Sequence, residues 1–551
     1  MLKNATSNRI PIYLTALLVL WIHPTWGAER SATIRGVVNV ASGAPAVGAV
    51  VKAKNTDLGV TVSVISGEDG KYKVPELPAG HYTIRATGGG FQSDPNETVE
   101  VGASQFANKT LTLGQRQNLA EALTSAQFAA MMPDGAGKEL IVSLCTHCHK
   151  DGLYKIVSRR MNRDGWAEAV RKMEANVFGN THPVEMTDPD RKTILDYLAK
   201  NYGPNAPPLD PNAAVGKNWI TGPAAKTMAT EFDLPPGSGP HDVSIDSQGI
   251  GWVGETNHGV IGRLDPQTLI YTRISIPGTL PNTAKRSVNA AHALVIDAQG
   301  RLWLSDHRTP RVIEYDPKIE SKPEAFTFYP YPAPKSPEFS ADVNTIRVHP
   351  NGTVWFTDLG SDQILRLDPK TKTFTQIPIP SGLRSAIKAH PYGMAIDGNG
   401  WVWFAEYESS KMGRVDAKSG EVTEYPLPPH AYPRRMGTDA DGNVWFGEYG
   451  GIGKLGFIDR RTAKITDYPT PIKYSGAYSV SADLKRNLIW VNELISDKIA
   501  RFDPKTKTFV EFPLPTLYSS VRRIEADPTR PNRIWYAGNN INKIGYVDVL
   551  E

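Results

Sequence analysis

The fold is decided by a segment that recurs along the second half of the chain, and its clearest copy is Val402–Pro428, VWFAEYESSKMGRVDAKSGEVTEYPLP. In each copy a tryptophan is followed 13 residues later, give or take one or two, by an aspartate. The tryptophans, 42 to 52 residues apart, are Trp252, Trp303, Trp355, Trp403, Trp445, Trp490 and Trp535. Short strands and turns at this period are typical of β-propeller blades. We therefore predict a seven-bladed propeller over residues 221–551.

The hexad that ends each repeat, Thr423–Pro428 in this copy, also predicts how the ring closes. Its relatives begin at Thr272, Thr327, Thr375, Thr466 and Val510. The last repeat has no hexad, and the missing copy lies ahead of the first tryptophan, at Thr230–Pro235. We expect the first strand of the array to complete the last blade, because closure removes the exposed edges of an open sheet.

Length, charge and cysteine content exclude several classes of protein. The chain has 551 residues, enough for about three or four domains. Its 61 Lys and Arg against 57 Asp and Glu leave a net charge of +4. This balance is too even to indicate a nucleic-acid partner. Only two cysteines are present, so a disulfide-stapled scaffold is excluded.

Residues 1–27 have the pattern of a secretory signal peptide. Lys3 and Arg9 precede an apolar run over Ile10–Ile22, and small residues follow up to Gly27. The run is too short to span a bilayer comfortably, and no later stretch of sequence is long and apolar enough to do so. We expect a mature protein that is periplasmic or secreted and has no transmembrane segment.

Residues 31–114 are expected to form a small β-module. Thr33–Val38, Val50–Ala53 and Tyr82–Ala86 are short runs with β-branched residues, and glycine- and proline-containing turns separate them. The stretch Asp69–Ile84 resembles the carboxypeptidase regulatory-like family, whose fold is a prealbumin-like β-sandwich. The resemblance implies a structural or docking domain and indicates almost nothing about activity.

Residues 118–203 change to a helical pattern, and the proline-rich residues 204–220 are expected to be a linker. One face of a helix is indicated by Trp166, Val170, Met173 and Val177. Asp188 and Pro189 predict an N-cap followed by a proline at the first helical position. We expect a small all-α domain here.

This helical region contains Cys145-Thr146-His147-Cys148-His149, a C-x-x-C-H motif. Two thiols at this spacing add to the vinyl groups of a haem, and the adjoining histidine binds the iron. A thioredoxin-like pair would need a βαβ context, and a zinc site would need a second pair of ligands. We therefore predict one covalent haem c, with Cys145, Cys148 and His149 as cofactor-binding residues.

The same region resembles small c-type cytochrome domains, through Gly137–Glu139, Trp166 and Tyr197–Ala199. In those cytochromes a methionine one helix face beyond the tryptophan is the second iron ligand, which implies Met173 opposite His149. The alternatives that stay open are Met186, Met161 and His182. A thioether ligand raises the reduction potential relative to a second histidine, which suits an oxidising electron acceptor.

One slot of the propeller repeat is expected to point at the central channel. It lies five residues before the aspartate or histidine that ends the innermost strand. Its occupants are His241, His292, Asn344, Tyr392, Arg434, Tyr478 and Arg522. A structural slot would repeat one residue type, as the tryptophan slot does, so these large polar side chains indicate a functional mouth. Arg434 and Arg522, with Arg435 and Arg523 beside them, give this mouth positive charge, which together with the tyrosines would suit an anionic or aromatic ligand.

The repeats resemble the virginiamycin B lyase (streptogramin lyase) family of seven-bladed propellers, through Gly239–His241, Val354–Asp358, Gly413–Asp416 and Thr423–Pro428. The family binds substrate and Mg²⁺ at one channel mouth and opens a cyclic ester by elimination. Carried over blade for blade, its two catalytic histidines fall at Tyr478 and Arg522, its tyrosine at His241, and its acidic residues at Ser520 and Asn539. The family's base and metal ligands are thus replaced, which argues against its lyase activity.

The resulting prediction is a mainly β, multidomain chain with a β-sandwich, an all-α cytochrome c domain and a propeller. We expect an exported haem protein that transfers electrons, whose propeller binds a substrate or a redox partner as part of a periplasmic dehydrogenase. A lyase-like enzyme with an accessory haem and a non-catalytic protein docking to a respiratory partner are the alternatives. His241 and His292 could also form an acid/base or metal pair, and Mg²⁺ or Ca²⁺ could bind the propeller.

Overall fold

The structure is a computed structural model that describes residues 30–116, 118–146, 152–174, 186–216, 219–279, 290–307, 309–332, 343–384 and 388–550. The predicted signal peptide, residues 1–27, lies outside the described residues, as do Cys148, His149 and His182. The described chain consists of an N-terminal β-module, a helical segment and a β-propeller, in that order.

Nine strands form the N-terminal β-module. They are β1 (Ala32–Val40), β2 (Val50–Asn55), β3 (Val60–Ile65), β4 (Lys71–Leu77), β5 (Gly80–Gly88), β6 (Phe91–Gln92), β7 (Thr98–Val101), β8 (Phe106–Asn108) and β9 (Leu111–Gln115). β2 pairs with β3 and β5, while β1 pairs with β4, β8 and β9. Along β2 every second residue is fully buried, so one face of this strand covers the core, as a sandwich-like module requires.

The helical segment follows the β-module. Its α-helices are α1 (Ser125–Met131), α2 (Ala136–Leu140), α3 (Tyr154–Val157), α4 (Arg163–Glu174), α5 (Asp188–Asn201) and α6 (Asn212–Val215). A 3₁₀ turn, Leu119–Ala122, precedes α1, and a π-helical turn, Ile141–Cys145, extends α2. The described helices are short and do not by themselves establish the predicted cytochrome fold. Over the described residues, no helix has the length and apolar character needed to cross a bilayer.

Local sequence explains where the two longer helices begin and what they bury. Trp166 and Val170 of α4 are buried, as their spacing predicts, and Met173 is half-buried. The predicted N-cap at Asp188 is wrong by one residue. Thr187 is the cap, since its Oγ1 accepts a hydrogen bond from the Asp190 amide at 3.3 Å. Asp188 is therefore already helical, where its negative charge is favourable near the N-terminus.

The propeller begins with β10 (Thr227–Asp233), after a 3₁₀ turn at Gly222–Ala225. Six four-stranded antiparallel sheets follow. They are β11 (Pro240–Ile245), β12 (Gly251–Glu255), β13 (Val260–Leu264), β14 (Tyr271–Ser275); β15 (Leu294–Ile296), β16 (Leu302–Asp306), β17 (Arg311–Tyr315), β18 (Phe326–Pro330); β19 (Val343–Val348), β20 (Val354–Asp358), β21 (Gln363–Asp368), β22 (Thr373–Pro378); β23 (Pro391–Ile396), β24 (Val402–Glu406), β25 (Lys411–Val415), β26 (Val422–Pro426); β27 (Pro433–Thr438), β28 (Val444–Glu448), β29 (Lys454–Ile458), β30 (Ile465–Pro469); and β31 (Ala477–Asp483), β32 (Leu488–Glu493), β33 (Lys498–Asp503), β34 (Thr508–Pro513). A short helix, α7 (Pro380–Arg384), and 3₁₀ turns at Pro317–Ile319, Pro323–Ala325 and Leu359–Ser361 connect strands.

The ring closes through β10, but the expected seventh separate blade needs correction. The last strands are β35 (Val521–Ala526), β36 (Arg533–Gly538) and β37 (Lys543–Val549), and β10 pairs with β37 along its whole length, which confirms the predicted closure. The other edge of β10 pairs with β3 of the β-module. These four strands therefore belong to one 13-stranded sheet, and only six blades are separate sheets. Without β3, β10 would be the exposed edge strand of the last blade. Pairing with β3 covers this edge and joins the blade to the sheet of the β-module.

The tryptophan slot is structural. Trp403 is fully buried, and its indole N–H donates a 3.0 Å hydrogen bond to Asp397 in the turn that ends the innermost strand of the blade. The same bond to a turn aspartate joins Trp252, Trp303, Trp445 and Trp535 to Asp246, Asp297, Asp439 and Asp527. A large buried ring with a satisfied polar atom explains why one residue type recurs there.

The innermost strands carry β-bulges, which the repeat pattern did not predict. In β27, Arg434 and Arg435 together stand opposite the single residue Gly447. The same two-against-one register occurs in β11, β19, β23, β31 and β35. A bulge re-aims the side chains that it contains. Both residues of each bulge are thereby taken out of the regular alternation between the two faces of a blade.

Candidate functional site

All seven predicted channel residues are buried, each less than a tenth exposed. Six of them are the first residue of a bulge, and His292 lies two residues before β15, the innermost strand of its blade. The contacts of six channel residues divide them into two clusters. The exception is Asn344, whose Oδ1 accepts a 3.4 Å hydrogen bond from the hydroxyl of its neighbour Thr345. The sequence predicted that this slot faces the channel. The burial of its side chains and their division into two clusters are known from the fold.

The tyrosine–arginine cluster consists of Tyr392, Tyr407, Arg434, Tyr449, Tyr478 and Arg522. The Tyr478 hydroxyl shares a hydrogen bond with the Tyr392 hydroxyl and accepts another from Arg522 Nη1 at 3.2 Å. The Arg434 guanidinium carbon lies 3.7 Å from the ring centroid of Tyr407. It also lies between 4.9 and 5.4 Å from three further rings, those of Tyr392, Tyr449 and Tyr478. Such contacts stabilise a desolvated cation.

The two hydrogen-bonded phenols of this cluster differ in acidity. Burial alone would raise the pKa of Tyr478, but the positive charges of Arg522, Arg434 and Arg435 outweigh burial and lower that pKa to about 8. Burial and the neighbouring Tyr478 raise the pKa of Tyr392 to about 12. Tyr478 is therefore the phenol that loses its proton first, and Tyr392 is its hydrogen-bond donor. An acidified phenol of this kind can serve as a general base.

The histidine–aspartate cluster consists of His241, Asp242, His292, His307, Arg435 and Arg523. His241 Nδ1 lies 2.9 Å from Asp242 Oδ1. Arg435 donates to Asp242 at 3.0 Å, and Arg523 donates to it at 3.3 Å. The rings of His241 and His292 stack with centroids 3.8 Å apart. Asp242 is 1% exposed, so its charge is balanced by these partners rather than by water.

Protonation states in this cluster follow from burial and charge. Burial is the main cause that lowers the pKa of His241 to about 4, and the positive charges of Arg435 and Arg522 add to it. Burial would raise the pKa of Asp242, but Arg435 and His241 hold it well below its usual range. An ionised Asp242 can only accept, so the neutral His241 carries its proton on Nδ1. Nε2 is then the basic nitrogen.

The three histidines of the cluster do not form a metal site with the described residues. Burial lowers the pKa of His292, and the His307 ring lies 5.1 Å from the His292 ring. His307 Nε2 lies 2.6 Å from the carbonyl oxygen of Val343, so this nitrogen carries a proton and cannot ligate. Over the described parts of the chain, no group of three or more His, Cys, Asp or Glu has metal-binding geometry. The geometry supports an acid/base role for the pair His241 and His292 better than a metal role.

The helical segment covers the propeller face that carries the tyrosines. Thr146, the second residue of the C-x-x-C-H motif, shares a 2.7 Å hydrogen bond with the Tyr449 hydroxyl. Ser143 Oγ accepts from the Gly451 amide at 2.9 Å, and the ammonium of Lys138 lies 5.0 Å from the Tyr474 ring centroid. Residues of the segment and of the propeller tyrosines form one apolar cluster. Thr146, in the described part of the motif, is therefore directly next to the tyrosine–arginine cluster.

The apolar cluster of the helical segment and the propeller tyrosines also reaches the motif. Cys145 is half-buried and packs against this cluster, and so do Met161 and Met186. Trp166 and Leu198 are buried members of the cluster. An apolar surrounding with thioethers fits a covalently bound haem. Met173 lies on α4, and its role as an iron ligand stays a prediction, as do the roles of Cys148 and His149.

Two groups of site residues were missed because their repeat slots were not read as channel positions. Tyr407, Tyr449 and His307 each follow the acidic residue that ends the second strand of a blade. The second group is Asp242, the second residue of a bulge; Arg435 and Arg523 occupy the same place in their bulges, but they were expected to add positive charge to the mouth. The signal for the first group is in the sequence, since this slot also changes residue type from blade to blade. The second group depends on the bulge, which has no sequence pattern here.

The acidic residues that end the second strands are structural. Glu255 accepts hydrogen bonds from Arg273 and Tyr271 of its own blade, at 2.9 and 2.8 Å. Glu406 accepts from Ser409 and from Ser381. A surface cavity of about 530 Å³ is lined by turn and strand residues of the first two blades, among them Asp246 and Lys318, and by no residue of the two clusters. The channel is therefore the better candidate site.

The fold and the site define a β-propeller protein whose channel holds a polar, buried cluster under a helical cover. Residues 283–550 match the virginiamycin B lyase family, and residues 33–114 match the carboxypeptidase regulatory-like domain. A solved streptogramin B lyase is 25% identical, over 60% of this chain and 100% of that one, with a TM-score of 0.51. The chain therefore contains a virginiamycin B lyase-like propeller and a carboxypeptidase regulatory-like module.

Two further likenesses are weaker. A virginiamycin B lyase from Staphylococcus aureus is 21% identical over 58% of this chain and 99% of that one, with a TM-score of 0.49. The TonB-dependent transporter Oar of Myxococcus xanthus is 26% identical over 209 residues, which is 35% of this chain and 19% of the transporter. The chain thus spans about a fifth of the length of that curated relative.

Proposed function

We propose that the protein is an exported redox protein with one covalent haem c on its helical segment, next to a substrate that binds in the propeller channel. The observation that carries the proposal is the 2.7 Å hydrogen bond between Thr146 and Tyr449. It places the C-x-x-C-H motif against the tyrosine–arginine cluster. A haem supplies one-electron chemistry when it is bound.

The described residues around the motif would serve distinct purposes. Cys145, together with Cys148, would hold the haem covalently, and His149 would bind the iron. The apolar cluster around Trp166 and Leu198 would exclude water from one side of it. Tyr449, which Thr146 contacts, connects the motif to the channel residue Tyr478, with ring centroids 6.2 Å apart. Tyr478 would hold or release a proton at its hydroxyl when the charge of a bound substrate changes.

The direct test is a reduced-minus-oxidised difference spectrum of the protein matured in a bacterial periplasm. We expect a c-type band that survives denaturation, because the haem is covalent. The matched control is the double variant Cys145→Ala/Cys148→Ala, which should lack covalent haem. If the unmodified protein and the double variant give the same spectrum, the proposal is wrong. Met173→Ala, compared with Met186→Ala and Met161→Ala, identifies the methionine whose loss removes a sulfur-to-iron charge-transfer band.

A second candidate is a lyase-like propeller, and two observations favour it. One is the likeness to a streptogramin B lyase. The other is Tyr478, whose pKa is lowered to about 8 by Arg522, Arg434 and Arg435 against the effect of burial. In an elimination, the base takes a C–H proton, the electron pair forms a carbon–carbon double bond, and the ester C–O bond breaks to release a carboxylate. Tyr478 would be the base and Arg522 would stabilise developing negative charge.

This candidate is tested with Mg²⁺ and a streptogramin B substrate, using the Cys145→Ala/Cys148→Ala protein so that haem plays no part. A ring-opened product of unchanged mass that disappears in Tyr478→Phe would support it. The matched control is Tyr329→Phe, a buried tyrosine on β18 of another blade. Absence of this product would exclude streptogramin elimination and leave the redox proposal untouched.

A further inference from the structure

Four arginines from two bulges converge in the channel. Arg434 and Arg435 come from β27, and Arg522 and Arg523 come from β35. All four are at least nine-tenths buried. The guanidinium carbon of Arg435 lies 5.9 Å from the Tyr392 ring centroid, and that of Arg522 lies 5.4 Å from the Tyr478 ring centroid. The hydroxyls of these two tyrosines share a hydrogen bond, so the two guanidinium groups are neighbours in the channel.

Carboxylates balance only part of this positive charge. Arg435 and Arg523 share Asp242, and Arg523 also pairs with Glu525 at 2.8 Å. Arg522 Nη1 donates to the Tyr478 hydroxyl. A further arginine, Arg347, lies near, since its Nη2 donates a 3.2 Å hydrogen bond to the carbonyl oxygen of Met436, the residue after Arg435. Among the described residues of this part of the channel, arginine side chains therefore outnumber carboxylate side chains.

Several donors of the cluster are buried without a hydrogen-bond partner among the described residues. They are Arg435 Nε and Nη2, Arg522 Nε and His292 Nδ1. Burying a polar group without a partner is costly, and native structures avoid it unless a ligand or water completes the site. A guanidinium group presents its donors as a planar fork that matches the oxygens of a carboxylate or an oxyanion.

We propose that Arg435, Arg522 and His292 form a buried site for a small anion with two or more oxygens, a carboxylate or an inorganic oxyanion. The site deepens the proposed function, on which it rests, because it names the chemical class of the molecule held beneath the helical segment. His292 would donate or accept through Nδ1, and the two arginines would bind the oxygens. Arg522, which would bind the anion, also donates a hydrogen bond to the Tyr478 hydroxyl.

Binding has a spectroscopic consequence besides affinity. An anion in the site would offset the positive charge of Arg522 and Arg435, the charge that holds down the pKa of Tyr478. The anion must therefore raise that pKa, and by linkage it must bind less tightly once Tyr478 is a phenolate. Tyrosinate absorbance measured against pH, with and without the anion, reports this shift in the channel itself.

The affinity test is calorimetric titration of the full chain in chloride-free buffer with oxalate and, separately, with phosphate. We expect saturable binding of one anion per chain for at least one probe. Arg522→Gln should weaken it by roughly 10- to 100-fold, the effect of one hydrogen bond to a charged group, and Arg522→Lys should weaken it less. The matched control is Arg461→Gln, an arginine on an exposed turn, which should bind as the unmodified chain does.

The outcomes separate the sources of the anion and the two proposals. Binding of oxalate alone assigns the site to carboxylates, and binding of phosphate alone assigns it to inorganic oxyanions. If the Cys145→Ala/Cys148→Ala chain binds a probe anion and the haem-loaded chain does not, the site is supported. The result then indicates that a carboxylate of the haem occupies the site in the loaded chain. Absence of saturable binding to either form, or equal binding by Arg522→Gln, overturns the inference while the haem spectrum still decides the redox proposal. His292→Phe is the second variant if Arg522→Gln does not fold.

Discussion

Two slots of the same repeat have opposite properties. The tryptophan slot holds one residue type in every blade, and in five of them the indole is bonded to a turn aspartate. The bulge slot on the innermost strand holds histidine, asparagine, tyrosine or arginine, depending on the blade. Both slots are buried. The difference teaches that burial alone does not enforce repetition, and that a repeat varies where its backbone leaves the regular ladder.

The largest expected effect comes from removing the buried negative charge of Asp242, which lies next to the bulge slot. Asp242→Asn removes the carboxylate that pairs with Arg435, Arg523 and His241. Loss of one partner of a buried ion pair costs about 3–5 kcal/mol. Denaturant unfolding measures the loss. The control is Glu525→Gln, whose carboxylate is 31% exposed. A similar loss of unfolding free energy in both variants would show that the buried Asp242 contributes no more to stability than the partly exposed Glu525.

The second effect is pH-dependent and also belongs to the bulge slot. The folded-state pKa of Tyr478 is about 8, below the usual value of about 10. Between these values the unfolded chain holds a proton that the folded chain has lost, so stability rises with pH. The gain is absent below pH 8 and complete above pH 10, at about 2–3 kcal/mol. Unfolding of Tyr478→Phe, compared with Tyr329→Phe across this range, should lack the rise.

The third effect tests the tryptophan slot. Trp403→Phe leaves Asp397 without its indole partner and leaves a small cavity in a fully buried position. We expect a loss of about 2 kcal/mol, with no change in tyrosinate titration near pH 8. The comparison variant is Trp401→Phe, a half-buried neighbour on the same turn, which should lose less. A change in the tyrosinate titration would mean that the two slots are coupled.

The smallest effect concerns the contact between the helical segment and the channel. Thr146→Val keeps the shape of the side chain and removes the hydrogen bond to Tyr449. A buried hydrogen bond of this kind contributes about 1 kcal/mol. The variant should still attach haem, because both cysteines are intact, and its haem spectrum should shift if the motif contacts the cluster. An unchanged stability and spectrum would separate the two regions.

Much of the fold could be predicted from particular residues. The tryptophan spacing predicted the blades. The hexad at Thr230–Pro235 predicted the closing strand, because it precedes the first tryptophan and the last repeat lacks a hexad of its own. The slot that begins with His241 was predicted to be a channel position.

The rest depends on contacts between distant parts of the chain. No local pattern indicates that β3 pairs with β10, so the seventh blade was expected to be a separate sheet. The bulges that bring Arg435 and Asp242 into the channel are a matter of register, which a residue count along one strand does not reveal. The cap of α5 shifted by one residue because two adjacent side chains, Thr187 and Asp188, are both good N-caps.

The shared strand β10 has a consequence for how the chain reaches its final state. Asp233 of β10 is separated by 310 residues from Lys543 of β37, to which it is bonded. A chain that emerges N-terminus first presents β10 long before β37 exists, and an uncovered strand edge invites aggregation. Pairing with β3 protects one edge of β10 from the start. The β-module, which is made first, would therefore cover one edge of β10 until β37 pairs with the other edge.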